Sequence, residues 1–374
     1  MRIGVSCLAA PGGSGAVATA VARGLALRGH EVRLVASEQP FRWAPTPGLS
    51  FHRVEIPPAP ALPNPPWEYS LAAALVDVSQ VVDVIHVHYA VPHLAAALLA
   101  AESRCPVVAT LHGTDVTRVG SHPAVLPFTR SLLTRCAALS TPSAHLAKVA
   151  QRLFALPETP RALPNFIDPE ALRPPATPQR AVFDPLFSSA LSGLATLVHV
   201  SNCRPVKRVT DAIRVVGALP EARLVVIGEG PDRAAAEREA EALGASDRVA
   251  WVGAEWLPRF GHADAYLNPS EEESFGLAAL EAMAVGLPVV GTRVPGFDEV
   301  VLHGVTGSLH PVGDAAGMAA GVREVLGRPE LRAAARHRAV SGFSADAVLP
   351  EVEAWLASAV ASWIPEGKEA RRRS

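Results

Sequence analysis

Short apolar, β-branched runs recur along the chain, separated by longer stretches rich in Ala, Leu and Arg. Runs at 3–8, 32–36, 84–88, 107–111 and 138–141 read as strands in the first half, and runs at 196–200, 223–227, 249–252, 265–267 and 289–291 in the second. Most of them are continuously hydrophobic instead of alternating, which is the pattern of a strand covered on both faces. Parallel sheets with helices on either side are therefore predicted, and the fold class is α/β.

The rhythm breaks in two places. Residues 169–187 are rich in Pro and polar residues and lack periodicity, so they read as a connection between domains. Residues 40–66, also rich in Pro, read as a long surface loop within the first half. The expected organisation is a domain at 1–168, a second at 169–347, and a final helix and tail at 348–374 able to pack on either. Two doubly wound, Rossmann-like domains facing each other would bring the carboxyl ends of both sheets to a central cleft, where ligands bind in such folds.

Composition narrows the function. Hydrophobic residues make up 49% and charged residues 19% of 374, so a folded chain with more than one core is expected. The formal net charge of −2, without a basic face, argues against nucleic acid as a partner. The terminal run Arg371-Arg372-Arg373 reads as a solvated tail. No apolar stretch reaches membrane-spanning length, because Pro92, His93, Glu102 and Arg104 interrupt or close the longest. The start of the chain reads as a first strand and not as a signal peptide. Cys7, Cys105, Cys136 and Cys203 are widely spaced, as expected of buried thiols in a cytoplasmic protein. Only three lysines (Lys148, Lys207, Lys368) stand among 34 basic residues, which singles out Lys207 in a basic loop.

The candidate chemistry lies just after predicted strands. Pro11-Gly12-Gly13-Ser14-Gly15 leads into a helix, and such a loop lets the backbone approach a phosphate or sugar. A tight strand-to-helix turn is the competing reading. A dinucleotide-binding dehydrogenase fits poorly, because the glycine spacing and the acid expected about 20 residues further on do not match. His86-Val87-His88-Tyr89 and Thr110-Leu111-His112-Gly113-Thr114-Asp115 close two strands. There His86 reads as a buried, hydrogen-bonded histidine and His112 as a ligand contact. No D-x-D carboxylate pair is present to hold a metal on a diphosphate, so neither metal nor cofactor is expected.

In the second half, Arg204, Lys207 and Arg208 follow the strand at 196–200. Fixed cations there would stabilise a diphosphate as it gathers charge on leaving. The segment Pro269-Ser270-Glu271-Glu272-Glu273-Ser274-Phe275-Gly276-Leu277 runs into a helix bearing Glu281. Its helix-start N–H groups suit a diphosphate or sugar hydroxyls. Carboxylates beside phosphates must address the neutral parts of a ligand, so Glu273 suits sugar hydroxyls and Glu281 the ribose. A solvated basic turn and a capping cluster are the plain alternatives.

With these residues in view, the chain resembles the retaining family 4 glycosyltransferases of two-Rossmann-domain (GT-B) architecture. The resemblance rests on E-S-F-G-L-x-A-L-E-A (Glu273–Ala282), G-x-P-V-V-G-T (Gly286–Thr292) and H-G-x-T-G (His303–Gly307). The histidine-bearing strand ends, Asn165-Phe166-Ile167-Asp168 and Ser201-Asn202-x-Arg204-x-Val206-Lys207-Arg208 are similar to the branch that acts in bacillithiol biosynthesis. The resemblance implies metal-independent transfer of N-acetylglucosamine from UDP-N-acetylglucosamine to L-malate, a small carboxylate. It implies Arg204 and Lys207 at the diphosphate, Glu273 at the donor sugar, and His112 by the reacting centre. Gly13, Gly15, Ser274, Phe275, Gly276, Leu277 and Glu281 would complete the donor site, and Ser14, Tyr89 and Thr114 the malate side. Arg42, His93 and Arg118 are open candidates for the malate carboxylates. Two departures stand out: Val294-Pro295-Gly296-Phe297-Asp298-Glu299 replaces the usual Gly-Gly-x-Pro-Glu, and Cys203 stands where an aromatic residue is common.

The alternatives are a transferase of the same fold with a lipid or inositol phosphate acceptor, an NAD-linked oxidoreductase, and a sugar-nucleotide-binding protein without turnover. Oligomeric state, homo-oligomer included, stays open.

Overall fold

The structure, a computed structural model, describes residues 1–9, 12–57 and 67–364. The chain divides into two units, one of Met1–Asn165 with Asp346–Ser374 and one of Phe166–Ala345. Pro11, residues 58–66 of the Pro-rich segment and the terminal arginines lie outside the described residues.

The first unit holds a seven-stranded sheet of β1 (Arg2–Ser6), β2 (Glu31–Ala36), β3 (Leu49–Arg53), β4 (Val84–His88), β5 (Val107–Thr110), β6 (Ala138–Thr141) and β7 (Arg161–Ala162). Its order is β3-β2-β1-β4-β5-β6-β7, and every pairing is parallel. The second unit holds β8 (Ala195–Val200), β9 (Ala222–Ile227), β10 (Val249–Val252), β11 (Ala265–Asn268), β12 (Val289–Thr292) and β13 (Gly307–His310). Their order is β10-β9-β8-β11-β12-β13, again parallel throughout. In each sheet the strands are laid down outward from the first, and then the chain crosses over and builds in the other direction. The point of reversal is β1/β4 in one unit and β8/β11 in the other. Loops leaving the carboxyl ends of strands at such a point diverge and leave a crevice, which is where doubly wound sheets bind ligands.

The apolar runs form these strands because both faces are covered: all residues of β4, β5, β9, β11 and β12 are buried. Three strands escaped the sequence pattern: β3, β7 and β13, the last being mostly buried but reading Gly-Ser-Leu-His, with a single large apolar residue. The segment 40–66, expected as a surface loop, contains β3, whose exposed edge position tolerates the polar pattern Leu-Ser-Phe-His-Arg. The two-residue β7 is too short to carry a pattern.

The stretch 169–187, expected as a connection, packs onto the second unit. Phe183 is fully buried there, and Arg180 forms an ion pair with Asp264. The fully buried Arg223 on β9 pairs with Asp184 at 2.8 Å, and it donates to Thr196 and to the carbonyls of Leu191 and Arg180. A buried guanidinium needs several acceptors at once, and the irregular segment supplies them from its backbone.

The last helix, Ala345–Ser362, belongs to the first unit. Glu353 binds Arg28 and His30, and Trp355 packs edge-on against His86 at 5.3 Å between ring centroids. Among the described residues no helix is long and apolar enough to cross a membrane. The four cysteines are free, with Cys7, Cys105 and Cys203 buried.

Candidate active site

The second unit gathers its polar groups at the β8/β11 reversal. His199, next to last in β8, is fully buried; burial pushes its pKa down to about 4, so the ring is neutral. Its Nδ1 lies 2.8 Å from the Leu267 carbonyl of β11, which only accepts, so Nδ1 carries the proton. Nε2 then accepts from the Ser201 hydroxyl at 2.8 Å, and Ser201 Oγ accepts from the Cys203 amide at 3.1 Å. This relay ties the start of the basic loop to the neighbouring strand. Cys203 is buried with φ at 40°.

The loop continues through a turn at Pro205–Lys207, and the Glu271 amide donates to the Val206 carbonyl at 2.9 Å. Basic and acidic loops are thus joined through their backbones, and the side chains follow. Lys207 Nζ lies 2.6 Å from Glu273 Oε1. The Asn268 amide also reaches Glu273 at 3.4 Å, and Ser270 holds Asn268 Oδ1 at 2.7 Å. Burial raises the Glu273 pKa, but the Lys207 charge and the hydrogen bonds from Lys207, Ser270 and Asn268 outweigh it, and the net shift is downward. Glu273 is therefore a carboxylate at neutral pH, beside a cation.

Arg204 is exposed in the same loop, its Nε on Asn202 Oδ1 at 3.2 Å. Arg208 turns away toward Asp211 and Glu271.

Beyond Glu273 the chain enters the helix Leu277–Ala284, whose start has no side-chain cap. Its first N–H groups have no partner within the helix, as at any helix start, so they can receive an anion or a hydroxyl. Gly276 makes this entry possible: its φ is +92°, and a Cβ there would meet the Phe297 ring at 2.5 Å. Phe297, part of the unusual turn 294–299, is fully buried behind that glycine. Phe275 is buried against Phe343, while Ser274 and Leu277 flank Gly276 in the loop and the first turn. Glu281 sits further along the helix, buried to 8% exposure. The helix closes on Gly286, at φ +82°, with the Leu287 amide reaching back to Ala282, and Pro288 prevents its continuation. Gly276→Ala is expected to destabilise the second unit by roughly 2–4 kcal/mol, since it adds both left-handed strain and a clash. A urea titration checks this, and Phe297→Leu in the same chain should restore part of the loss.

Sequence reasoning missed His199, Asn268, Gly228 and Gly230. A Cβ on Gly228 would lie 2.0 Å from the Ser201 carbonyl oxygen, and one on Gly230 1.8 Å from that of Asn202. The G-E-G after β9 is thus the backing on which the basic loop rests. Its signal was present in the sequence as two glycines after a strand.

In the first unit the expected site residues leave β1, β4 and β5. The helix after β1 is Gly13–Leu27, so Gly13, Ser14 and Gly15 form its first turn instead of preceding it. A Cβ on Gly12 or Gly13 would meet nothing within 4 Å, so these glycines border open space. Tyr89, at φ 75°, shares a hydrogen bond of 3.0 Å with Thr114. Asp115 is buried and accepts from the amides of His112, Gly113 and Ala90 at 2.9, 2.8 and 3.2 Å. Burial pushes its carboxyl up from the ordinary range, and those amides pull against that. His112 Nε2 lies 3.0 Å from His88 Nδ1, and burial lowers the His112 pKa to about 4.

His93 cannot serve as a cation for a carboxylate. It is fully buried, bonded to Ser6 at 2.9 Å, and pushed by burial to a pKa of about 4. Arg42 and Arg118 are both exposed. Among the described residues no three His, Cys, Asp or Glu side chains are grouped as metal ligands.

Known proteins match the chain over most of its length. Residues 188–341 match the family described as Glycosyl transferases group 1, and residues 11–171 match Glycosyltransferase Family 4. The N-acetyl-alpha-D-glucosaminyl L-malate synthase of Bacillus anthracis is 35% identical over 88% of this chain and 89% of its own length. A D-inositol 3-phosphate glycosyltransferase of Stackebrandtia nassauensis is 30% identical over 80% of this chain and 75% of its own. The solved structure of Anabaena HepE with UDP and glucose has a TM-score of 0.78 at 18% identity, covering 96% of this chain and 100% of that one. Sucrose-phosphate synthase of Thermosynechococcus elongatus has a TM-score of 0.80 at 19% identity, covering 97% and 100%. These structures establish the fold, two Rossmann-like domains of GT-B type, and the family matches and sequence relatives establish the kinship: this chain belongs to the family 4 glycosyltransferases.

Proposed function

We propose that this enzyme transfers N-acetylglucosamine from UDP-N-acetylglucosamine to the hydroxyl of L-malate, with retention and without a metal, as the first step of bacillithiol biosynthesis. The observation that carries the chemistry is the contact of Lys207 with Glu273 at the β8/β11 reversal. A cation beside an ionised carboxylate matches a ligand whose phosphate adjoins hydroxyl groups, as a nucleotide sugar does. Lys207 and Arg204 are assigned to the diphosphate, Glu273 to the sugar hydroxyls, the helix start at Gly276 and Leu277 to phosphate or sugar oxygens, and Glu281 to the ribose. The sugar and the acceptor are taken from the Bacillus anthracis relative, and a UDP-sugar donor also accords with the UDP complex of Anabaena HepE. The free cysteines suit a reducing, cytoplasmic setting.

In the proposed step the bond from the sugar's anomeric carbon to the diphosphate oxygen breaks. The malate hydroxyl oxygen bonds to that carbon on the same face, and its proton passes to the departing phosphate. Lys207 and Arg204 stabilise the charge that gathers on the diphosphate, which favours the transition state over the bound donor. No paired acid and base from the protein is needed, in contrast to the two carboxylates of glycoside hydrolysis.

The test is UDP release from UDP-N-acetylglucosamine with L-malate in the presence of EDTA. Turnover with an α-linked product is expected. A requirement for added Mg²⁺, or turnover with inositol 3-phosphate in place of malate, would overturn the assignment; the latter outcome would follow the Stackebrandtia nassauensis relative.

A further inference from the structure

β4 and β5 are adjacent parallel strands with His88 opposite Thr110. His86 and His88, two apart on β4, project from the same face, and their rings lie 4.1 Å apart between centroids. Trp355 closes the far side of His86, and the His112 ring lies against His88 at 5.2 Å. His86 and His88 are sealed from water, at 2% and 1% exposure, while His112 at the end of the stack is part-exposed. His86 Nε2 shares a hydrogen bond of 2.7 Å with Thr110 Oγ1, which shares one of 2.8 Å with Ser140 Oγ. His86 Nδ1 and His88 Nε2 have no hydrogen-bond partner in this environment.

Those two bare nitrogens decide where the protons sit. A neutral imidazole carries one N–H, and an N–H sealed away without an acceptor is the rarer and costlier defect, as it is for backbone groups. If His112 donated to His88, the proton of His88 would sit on Nε2, buried and unpaired. If His88 donates from Nδ1 to His112 Nε2, only a lone pair is left over. Burial holds all three rings neutral, with His86 pushed to about 3, His112 to about 4 and His88 well below its ordinary value. No charge in the stack competes with this arrangement.

We propose that His88 is a positioning residue for His112: its Nδ1–H donates to His112 Nε2 and fixes the tautomer in which His112 carries its proton on Nδ1. With Nε2 occupied, Nδ1 is the remaining ring nitrogen. His112 then meets a substrate oxygen as a hydrogen-bond donor and not as a base. The backbone of His112 is anchored separately by Asp115, so the ring is held from one side by His88 and the main chain from the other by a carboxylate. The catalytic consequence rests on the transferase reading above, but the tautomer does not.

Two measurements separate these. Long-range ¹H–¹⁵N NMR of the histidine-labelled full chain at pH 7.5, with His112→Gln to assign the signal, should show His112 protonated at Nδ1. Protonation at Nε2, or averaging between the two, overturns the proposal whether or not malate is the acceptor. In turnover assays, His88→Leu keeps the volume and removes the hydrogen bond. A drop in kcat of about 3–10-fold is expected, the rate equivalent of one net hydrogen bond that holds the ring in place. KM for the nucleotide sugar should stay within about threefold, because ground-state binding is not the target. His88→Asn places an amide where Nδ1 was and should recover most of kcat. Equal loss in both variants, accompanied by equal loss of thermal stability, would make His88 a packing residue only and overturn the proposal.

Discussion

Lys207→Ala should lower kcat about 10²–10³-fold, the usual cost of losing one preorganised group that stabilises developing charge. Two effects combine. The ammonium assigned to the departing diphosphate is gone, and Glu273 loses the closest group that keeps it ionised, at 2.6 Å. The half-buried carboxylate would retain only the neutral donors around it, Ser270 and Asn268, and its pKa would rise. A group that should accept from sugar hydroxyls would then be partly protonated. Lys207→Ala and Glu273→Ala should therefore be strongly non-additive, because each single change already disables the other residue. Steady-state kinetics of the double-mutant cycle check this. Additive losses, or a Lys207→Ala enzyme whose kcat is unchanged, would contradict the role given to the pair. Glu281→Ala, in the helix beyond, should act mainly on KM for the donor, since a ribose contact is the same before and during bond breaking.

Acidification should unfold the first unit in the pH range where histidines titrate. Burial holds His86 at a pKa of about 3, His93 and His112 at about 4, and His88 well below its ordinary value. In the unfolded chain all four titrate near 6.5. Below pH 6.5 the unfolded state binds protons that the folded unit refuses. The stability they contribute is whole above 6.5 and is lost as the pH falls toward 4. The slope is about 1.4 kcal/mol per pH unit for each such histidine, or roughly 2 kcal/mol each by pH 5. Three or four of them together approach the whole stability of a typical domain. Asp115, whose carboxyl is raised by burial, works in the opposite direction and offsets part of the loss. Thermal melts at pH 7.5 and pH 5.0 should differ by on the order of 15 °C. A difference of only a few degrees would show that these rings take up protons without the unit opening.

Much of this protein is legible in its residues alone. The near-continuous apolar runs announced strands covered on both faces, and so parallel sheets and an α/β fold. The motifs carrying Lys207, Glu273, Glu281 and His112 stood where chemistry sits in such folds, immediately after strands. These are local properties: hydrophobic runs, helix starts and loop chemistry are written in contiguous residues.

What the sequence did not determine depends on contacts between distant parts of the chain. β3 was hidden in a Pro-rich stretch, because an edge strand needs no buried face and therefore leaves no pattern. The 169–187 segment looked loose until Arg223, buried on β9, gave the Arg180 carbonyl and Asp184 a partner. Phe297 seemed a departure in a turn and proved to be the wall behind Gly276. His88 and His112 are 24 residues apart, and no spacing rule pairs them; the adjacency of β4 and β5 does. Residue type and local pattern set which groups were available, while hydrogen bonding between strands and burial of charge decided which of them meet and in which protonation state.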